Sequence, residues 1–249
     1  MGEVPARGHS EVEQAAPQLS LTGAFELSLS GRILAVPHTA ERVIAFLALA
    51  GRPVSRGRLA GTLWHESLEP RAAKSLRTAL WRLHRSRRGL VSTRDDHVEL
   101  SSAVLVDVNE LTRLAQRLIR GPIPDEVLTE VPMLLARRDL LPDWDEDWVV
   151  VERERYRLLR LEALESAASE LLGRQRHSDA LMVATGAVQS EPLRETARRL
   201  IVRVQLDRGN RAEALQCYRQ YRHLLLHELG LEPSPAMSRL VEPLIVRGR

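Results

Sequence analysis

A chain of 249 residues has room for two ordinary domains, and its 44% hydrophobic and 28% charged content is that of a folded, water-soluble protein. Its net charge is only +3, so bulk charge supports no case for a nucleic-acid partner; that case has to come from clustering. The single cysteine, Cys217, excludes an intrachain disulfide, and the longest apolar run, residues 43–50, is too short to span a bilayer, so a reducing cytoplasm is expected.

Residues 1–18 carry Glu3, Glu11 and Glu13 and no apolar segment, which reads as a disordered leader and not as a signal peptide. From Leu19 the odd positions run Leu19, Leu21, Gly23, Phe25, Leu27 and Leu29, a period of two that predicts one half-buried strand. Ser30-Gly31 turns the chain, and Arg32 to Val36 returns as a partner before Pro37. Thr39 is placed to cap a helix over 40–50, apolar on nearly all sides through Val43, Ile44, Phe46, Leu47 and Leu49. After Gly51-Arg52-Pro53, Ser55 offers an N-cap for a second short helix with Leu59, Leu63 and Trp64 at core spacing. The segment His65, Glu66, Ser67, Leu68, Glu69 reads as a loop, and Pro70 suits the first turn of a third helix running to about Arg87. Beyond Gly89, Leu90–Thr93 and Val98–Leu100 pair across the polar turn Arg94-Asp95-Asp96-His97. Strand pair, three helices, hairpin: the order predicts an α+β winged helix-turn-helix domain over 19–107.

Only helical periodicity follows, over 108–119, 148–172, 179–189, 193–208 and 211–229. Ala180-Leu181 and Ala214-Leu215 stand thirty-four positions apart, the period of tetratricopeptide helix pairs, so an all-α tetratricopeptide-like domain over 108–249 is expected.

One stretch carries chemistry. Between Arg71 and Arg94 there are eight basic residues (Arg71, Lys74, Arg77, Arg82, Arg85, Arg87, Arg88, Arg94) and no acid. At roughly 100° per residue, Ala73, Leu76, Leu80 and Leu83 fall on one side of the third helix. Arg71, Lys74, Ser75, Thr78, Trp81, Arg82 and Arg85 fall on the other, with Trp81 at its border. A solvated face interleaves both signs; like charges at i, i+3 and i+4 repel unless an anion relieves them. A major groove accepts such a helix, with Arg and Lys for guanine edges and hydroxyls for bases or phosphates. The DNA-contacting set expected is therefore Arg71, Lys74, Ser75, Arg77, Thr78, Trp81, Arg82 and Arg85. Arg56 and Arg58 at the second helix's start and Arg94 and His97 in the wing complete it.

Other constellations are weaker. No Gly-x-Ser-x-Gly or His-Glu-x-x-His pattern occurs, and Cys217 has no flanking His pattern, so no enzyme activity is expected. His223 and His227 lie four apart, but two candidate ligands on an amphipathic helix are read as surface residues, so neither metal nor cofactor is expected. Residues 139–154 hold seven acids against Arg153, with Trp144 and Trp148 among them; the tryptophans are read as packing groups at the domain junction and the acids as solvated.

The segments 52–64 and 73–83 resemble the OmpR-type winged helix of the Streptomyces antibiotic regulatory protein (SARP) family. Residues 140–148 running into 151–155, and 211–215 through 228–235, resemble the bacterial transcriptional activation domain that accompanies it. The resemblance spans about residues 19 to 246 and implies a sequence-specific activator, binding double-stranded DNA as a dimer on direct repeats upstream of promoters. It also implies contact with RNA polymerase holoenzyme, through the loop His65 to Glu69, and a nucleoid location in the cytoplasm. The family name suggests antibiotic or other secondary-metabolite genes. No receiver domain and no Gly-x-x-x-x-Gly-Lys-Ser/Thr loop occur in the sequence, so control by phosphorylation or ATP within this chain is not expected. The competing readings are a helical-repeat adaptor that binds a protein or small ligand, and a repressor acting by occlusion.

Overall fold

The computed structural model describes residues 16–86, 89–136 and 139–246, which fall into two compact units dividing at Val108 and Asn109. Arg87, Arg88 and the first fifteen residues of the expected leader lie outside the described residues.

The first unit opens with a four-stranded sheet, in order β3-β2-β1-β7. Its strands are β1 (Gln18–Ser20), β2 (Glu26–Leu29), β3 (Arg32–Ile33) and β7 (Leu105–Val106). The alternation from Leu19 to Leu29 is thus two antiparallel strands and not one. Gly23, at φ +100°, lies in the reversal between them. The period survives because Leu19 and Leu27 face each other across the pair, and Val106 of β7 continues that row in parallel on Leu19. All three are buried. Ser30 and Gly31 both take positive φ, the backbone a two-residue hairpin needs. The returning strand is only two residues long, ending at Ile33 and not at Val36.

Helix α1 (His38–Ala50) has Pro37 and not Thr39 at its N-cap position, so Thr39 lies inside it and no side chain caps its start. It buries Ala40, Val43, Ile44, Ala45, Leu47 and Ala48, and Gly51 closes it in the left-handed conformation. The short strand β4 (Val54–Ser55) leads into α2 (Arg56–Leu63), where the Ser55 hydroxyl accepts from the Arg58 amide as expected. Helix α3 (Glu69–Ser86) then precedes a hairpin of β5 (Val91–Arg94) and β6 (His97–Leu100). Both hairpin strands extend one residue beyond expectation into the turn, leaving Asp95 and Asp96 as its tip, with Asp95 at φ +50°. β4 adds to the hairpin by pairing Val54 with Val98 and Ser55 with His97. Strands β4 and β7 are two residues each, too short to leave a periodicity in the sequence.

The second unit is helical: α4 (Asp107–Arg120), α5 (Asp125–Ala136), α6 (Asp147–Gly173), α7 (His177–Ser190), α8 (Glu195–Asp207), α9 (Arg211–Leu229) and α10 (Pro235–Val246). Helices α5 and α10 are additions to the sequence reading. Each holds an internal proline, Pro132 and Pro243, and each starts at or just after another, Pro124 and Pro235, so proline spacing masked the helical period. From α6 to α10 each helix packs on the next, and α6 on α8 and α8 on α10 also touch, as in stacked helix pairs. Ala180 and Ala214 are both fully buried, the small residues that this packing requires one repeat apart.

Arginines tie the stack together. Arg160, 7% exposed, donates to the Leu134 carbonyl at 2.6 Å and to Ser190 Oγ at 3.1 Å. Arg194 forms a two-pronged pair with buried Glu165 at 2.7 and 2.9 Å, which raises the guanidinium pKa. Trp144 and Trp148 pack edge to face at 6.3 Å within this unit, Arg153 donates to the carbonyls of Leu140, Leu141 and Trp144, and Asp143, Asp145 and Asp147 stay exposed.

Candidate nucleic-acid interface

Helix α3 is two-faced because its apolar residues recur at three and four positions. Ala72, Leu76, Ala79, Leu80 and Leu83 are buried, against α1 and α2. Ala73, expected on this face, is half-buried at its edge; Ala72 takes its place, since the burial axis runs through Leu76 and Leu83. Arg71, Lys74, Arg77, Thr78, Trp81, Arg82 and Arg85 are exposed, and Ser75 is half-buried on the flank. Lys74, Thr78, Trp81 and Arg85 lie within about 60° of one another, directly opposite the core line. Trp81 therefore sits at the centre of the cationic face and not at its border, with 57% of its surface exposed.

Local contacts set these side chains. The Arg85 guanidinium lies 5.2 Å from the centroid of the Trp81 ring, a cation–π stack along one helical turn. Thr78 donates its hydroxyl to the Lys74 carbonyl at 3.0 Å, so its proton is engaged by the helix; Arg77 Nε reaches the Ala73 carbonyl at 3.4 Å. Glu69 is the only acid on α3 and sits in its first turn, where the helix dipole favours it.

Around α3 the structure gathers part of the remaining set. The β4–β6 pairing carries the start of α2 to the wing turn, where the Arg56 amide donates to the Asp96 carbonyl at 2.8 Å. Arg56, half-buried, joins Arg77, Trp64, His65, Glu69 and Asp96 in the lining of a cleft of about 580 Å³ between α2 and α3. Arg58 is exposed, and so are Arg94 and His97, which face each other across the hairpin beside the two exposed aspartates. The expected loop is His65 to Leu68 only: Glu69 belongs to α3, because Pro70 occupies the first turn one position further in. Leu68 projects from this loop, 82% exposed. Trp64, which the spacing assigned to the core, is half-buried under the Arg42 guanidinium at 5.9 Å.

A model of the family described as bacterial transcriptional activator domain matches residues 106–244. The chain belongs to that family. Regulatory protein AfsR of Streptomyces coelicolor is 27% identical over 252 aligned positions, covering 94% of this chain and 25% of its own length. The AfsR of Streptomyces griseus is 26% identical over 84% of this chain and 22% of its own. The chain therefore spans about a quarter of the length of the curated relatives it matches. Among solved structures, Mycobacterium tuberculosis EmbR, in complex with a low affinity phosphopeptide, matches with a TM-score of 0.75 at 19% identity. That match covers 93% of this chain and 65% of the other. At that identity the likeness is one of fold, a winged helix followed by tetratricopeptide-like helices. The family match spans residues 140–155 and 211–235, which resembled that domain, and with the AfsR relatives it shows SARP-type membership, that of a transcriptional activator family. Among the described residues no helix is long and apolar enough to cross a membrane.

Proposed function

We propose that this chain is a sequence-specific DNA-binding activator of transcription. In this reading α3 lies in the major groove, with Lys74, Arg82 and Arg85 reaching base edges and Arg71 and Arg77 reaching phosphates. Arg56, Arg58 and the wing residues Arg94 and His97 hold the flanking backbone. Two protomers occupy direct repeats upstream of a promoter, and the loop His65–Leu68 with Glu69 faces RNA polymerase holoenzyme. Secondary-metabolite genes are the targets that the family resemblance suggests.

The observation that carries the reading is the charge pattern of α3. Its outward face holds Arg71, Lys74, Arg77, Arg82 and Arg85 with no acid after Glu69, directly opposite a buried apolar line. Neighbouring cations at i and i+3 repel in the free protein, and a polyanion removes that cost while releasing its own counterions.

Duplexes selected from a randomised library by the full chain test it. Arg85→Ala or Arg82→Ala weakens the selected duplex by ~1–3 kcal/mol if the contact is a two-pronged base pairing. Arg71→Ala weakens all duplexes alike and lowers the salt slope by about one unit. Unchanged binding in both Arg82 and Arg85 variants refutes the assignment of this face. In transcription with purified holoenzyme an activator raises transcript yield and an occluding repressor lowers it. Leu68→Ala then reduces the yield without changing DNA affinity.

A further inference from the structure

A tryptophan at the centre of a cationic stripe is out of place unless something apolar meets it. Trp81 is flanked along its line by Lys74, Thr78 and Arg85, and more than half of its surface faces solvent. It adds nothing to the buried core, which α3 builds from Ala72, Leu76, Ala79, Leu80 and Leu83. Phosphates do not suit its ring face, whose quadrupole is negative. In a major groove the one apolar group on the base edges is the 5-methyl of thymine.

From this we infer that Trp81 is a base-reading residue, its indole seating a thymine 5-methyl close to a guanine held by Arg85. The inference rests on the DNA-binding reading above and adds what the site selects. The spacing follows from the helix. Trp81 and Arg85 are one turn apart, roughly 6 Å along the axis, against about 3.4 Å per base pair, so the thymine and the guanine lie within about two base pairs. Because the guanidinium already stacks at 5.2 Å from the ring centroid, Arg85 loses less rotamer freedom on binding. The two side chains therefore act as one reading unit. Thr78, its proton engaged by the Lys74 carbonyl, stands one turn before Trp81 on the same line and offers no competing donor there.

The test uses the wild-type full chain and duplexes that it selects from a randomised library at fixed salt. Each thymine of the selected site is replaced in turn by deoxyuridine, which deletes only the methyl group. The expected result is one position per half-site, within two base pairs of a guanine, where affinity falls about fourfold, the worth of one buried methyl. Trp81→Ala binds more weakly, loses the effect of deoxyuridine at that position and selects sites with relaxed thymine and guanine there. Trp81→Phe restores part of the sensitivity. Far-UV circular dichroism checks that these exposed-site variants stay folded, and the deoxyuridine series reads the contact in unaltered protein.

Deoxyuridine that is neutral everywhere, or equally harmful to wild type and Trp81→Ala, overturns the inference and leaves DNA binding standing. Loss of cooperative filling of the second half-site in Trp81→Ala, with deoxyuridine neutral, also overturns it, by assigning the indole to a contact between protomers. A library that yields no enriched sequence overturns both this inference and the reading beneath it.

Discussion

Asp107→Ala removes the clamp that holds the first sheet's reversal. The parallel pairing of β1 with β7 brings Asp107, just after β7, beside Ser20, Leu21 and Thr22 at the end of β1. Its Oδ1 accepts from the Leu21 amide at 2.9 Å and from the Val108 amide at 2.7 Å. Its Oδ2 accepts from the Thr22 amide at 3.1 Å and from the hydroxyls of Thr22 and Ser20 at 2.6 and 2.8 Å. The hydroxyls can rotate to other partners, but the amides of Leu21 and Thr22 cannot, and both residues are buried. Two stranded backbone donors at ~1–3 kcal/mol each put the loss at about 2–6 kcal/mol, a large part of an ordinary domain's stability. Asp107→Asn keeps one carbonyl oxygen. Whichever way the amide turns, its NH₂ group faces at least one backbone N–H, so roughly 1–2 kcal/mol is expected. Urea unfolding gives the global value, and hydrogen exchange at the Leu21 and Thr22 amides gives the local one. If Asp107→Ala stays within about 0.5 kcal/mol of wild type while both amides remain protected, the carboxylate is not the clamp.

Two glycines make a contrasting pair. A Cβ on Gly186 would meet Leu135 Cδ2 at 2.3 Å, so in Gly186→Ala the leucine must move aside and the strain offsets the roughly 1 kcal/mol that alanine brings inside a helix. Gly61 in α2 has nothing within 4 Å, so Gly61→Ala stabilises by about 0.5–1 kcal/mol; thermal unfolding with the opposite order refutes both. Arg160→Met keeps the buried stem but strands the Leu134 carbonyl, and about 2–3 kcal/mol is lost in denaturant titration. Burial pushes the Cys217 thiol up, so alkylation followed by mass spectrometry is slower than for free cysteine near neutral pH and accelerates on unfolding. The Arg222 guanidinium holds Glu232 below the usual carboxylate range. The stability this adds is present above the ordinary carboxylate pKa and is lost as pH falls through the lowered one. Any gap between wild type and Glu232→Gln therefore closes on acidification.

The two units were legible to different depths, for reasons visible in single residues. Helices α7, α8 and α9 could be read almost to their ends because Ala180, Ala197 and Ala214 anchor long periodic runs with few prolines. Helices α5 and α10 could not, because a proline inside a tertiary-packed helix is indistinguishable in sequence from a helix stop. The first sheet misled for a subtler reason: Leu19 and Leu27 occupy one face whether the chain runs straight or doubles back. Only the positive φ at Gly23 separates the two cases, and period-two counting carries no backbone sign.

The cationic face was legible because charge sign and helical period are both local properties. What was not legible is which residue stands at its centre. That depends on where the burial axis falls, and it falls through Ala72 and not Ala73, which turns Trp81 from the margin to the middle. A rotation of the core line by roughly 40° on the wheel separates a tryptophan at the border of the cationic face from one at its centre. The chemistry of the face then follows from packing beneath it. Ala72 and Ala79 let α3 settle against α1 and α2 on its narrow side, and that settling presents Lys74, Thr78, Trp81 and Arg85 as one line. A larger side chain at either alanine would rotate α3 before it unfolded anything. Ala79→Val should therefore change the selected DNA sequence at a stability cost of only about 1–3 kcal/mol. Selection by that variant from the same library, with an unchanged consensus at full stability loss, would show that the core line does not set the reading face.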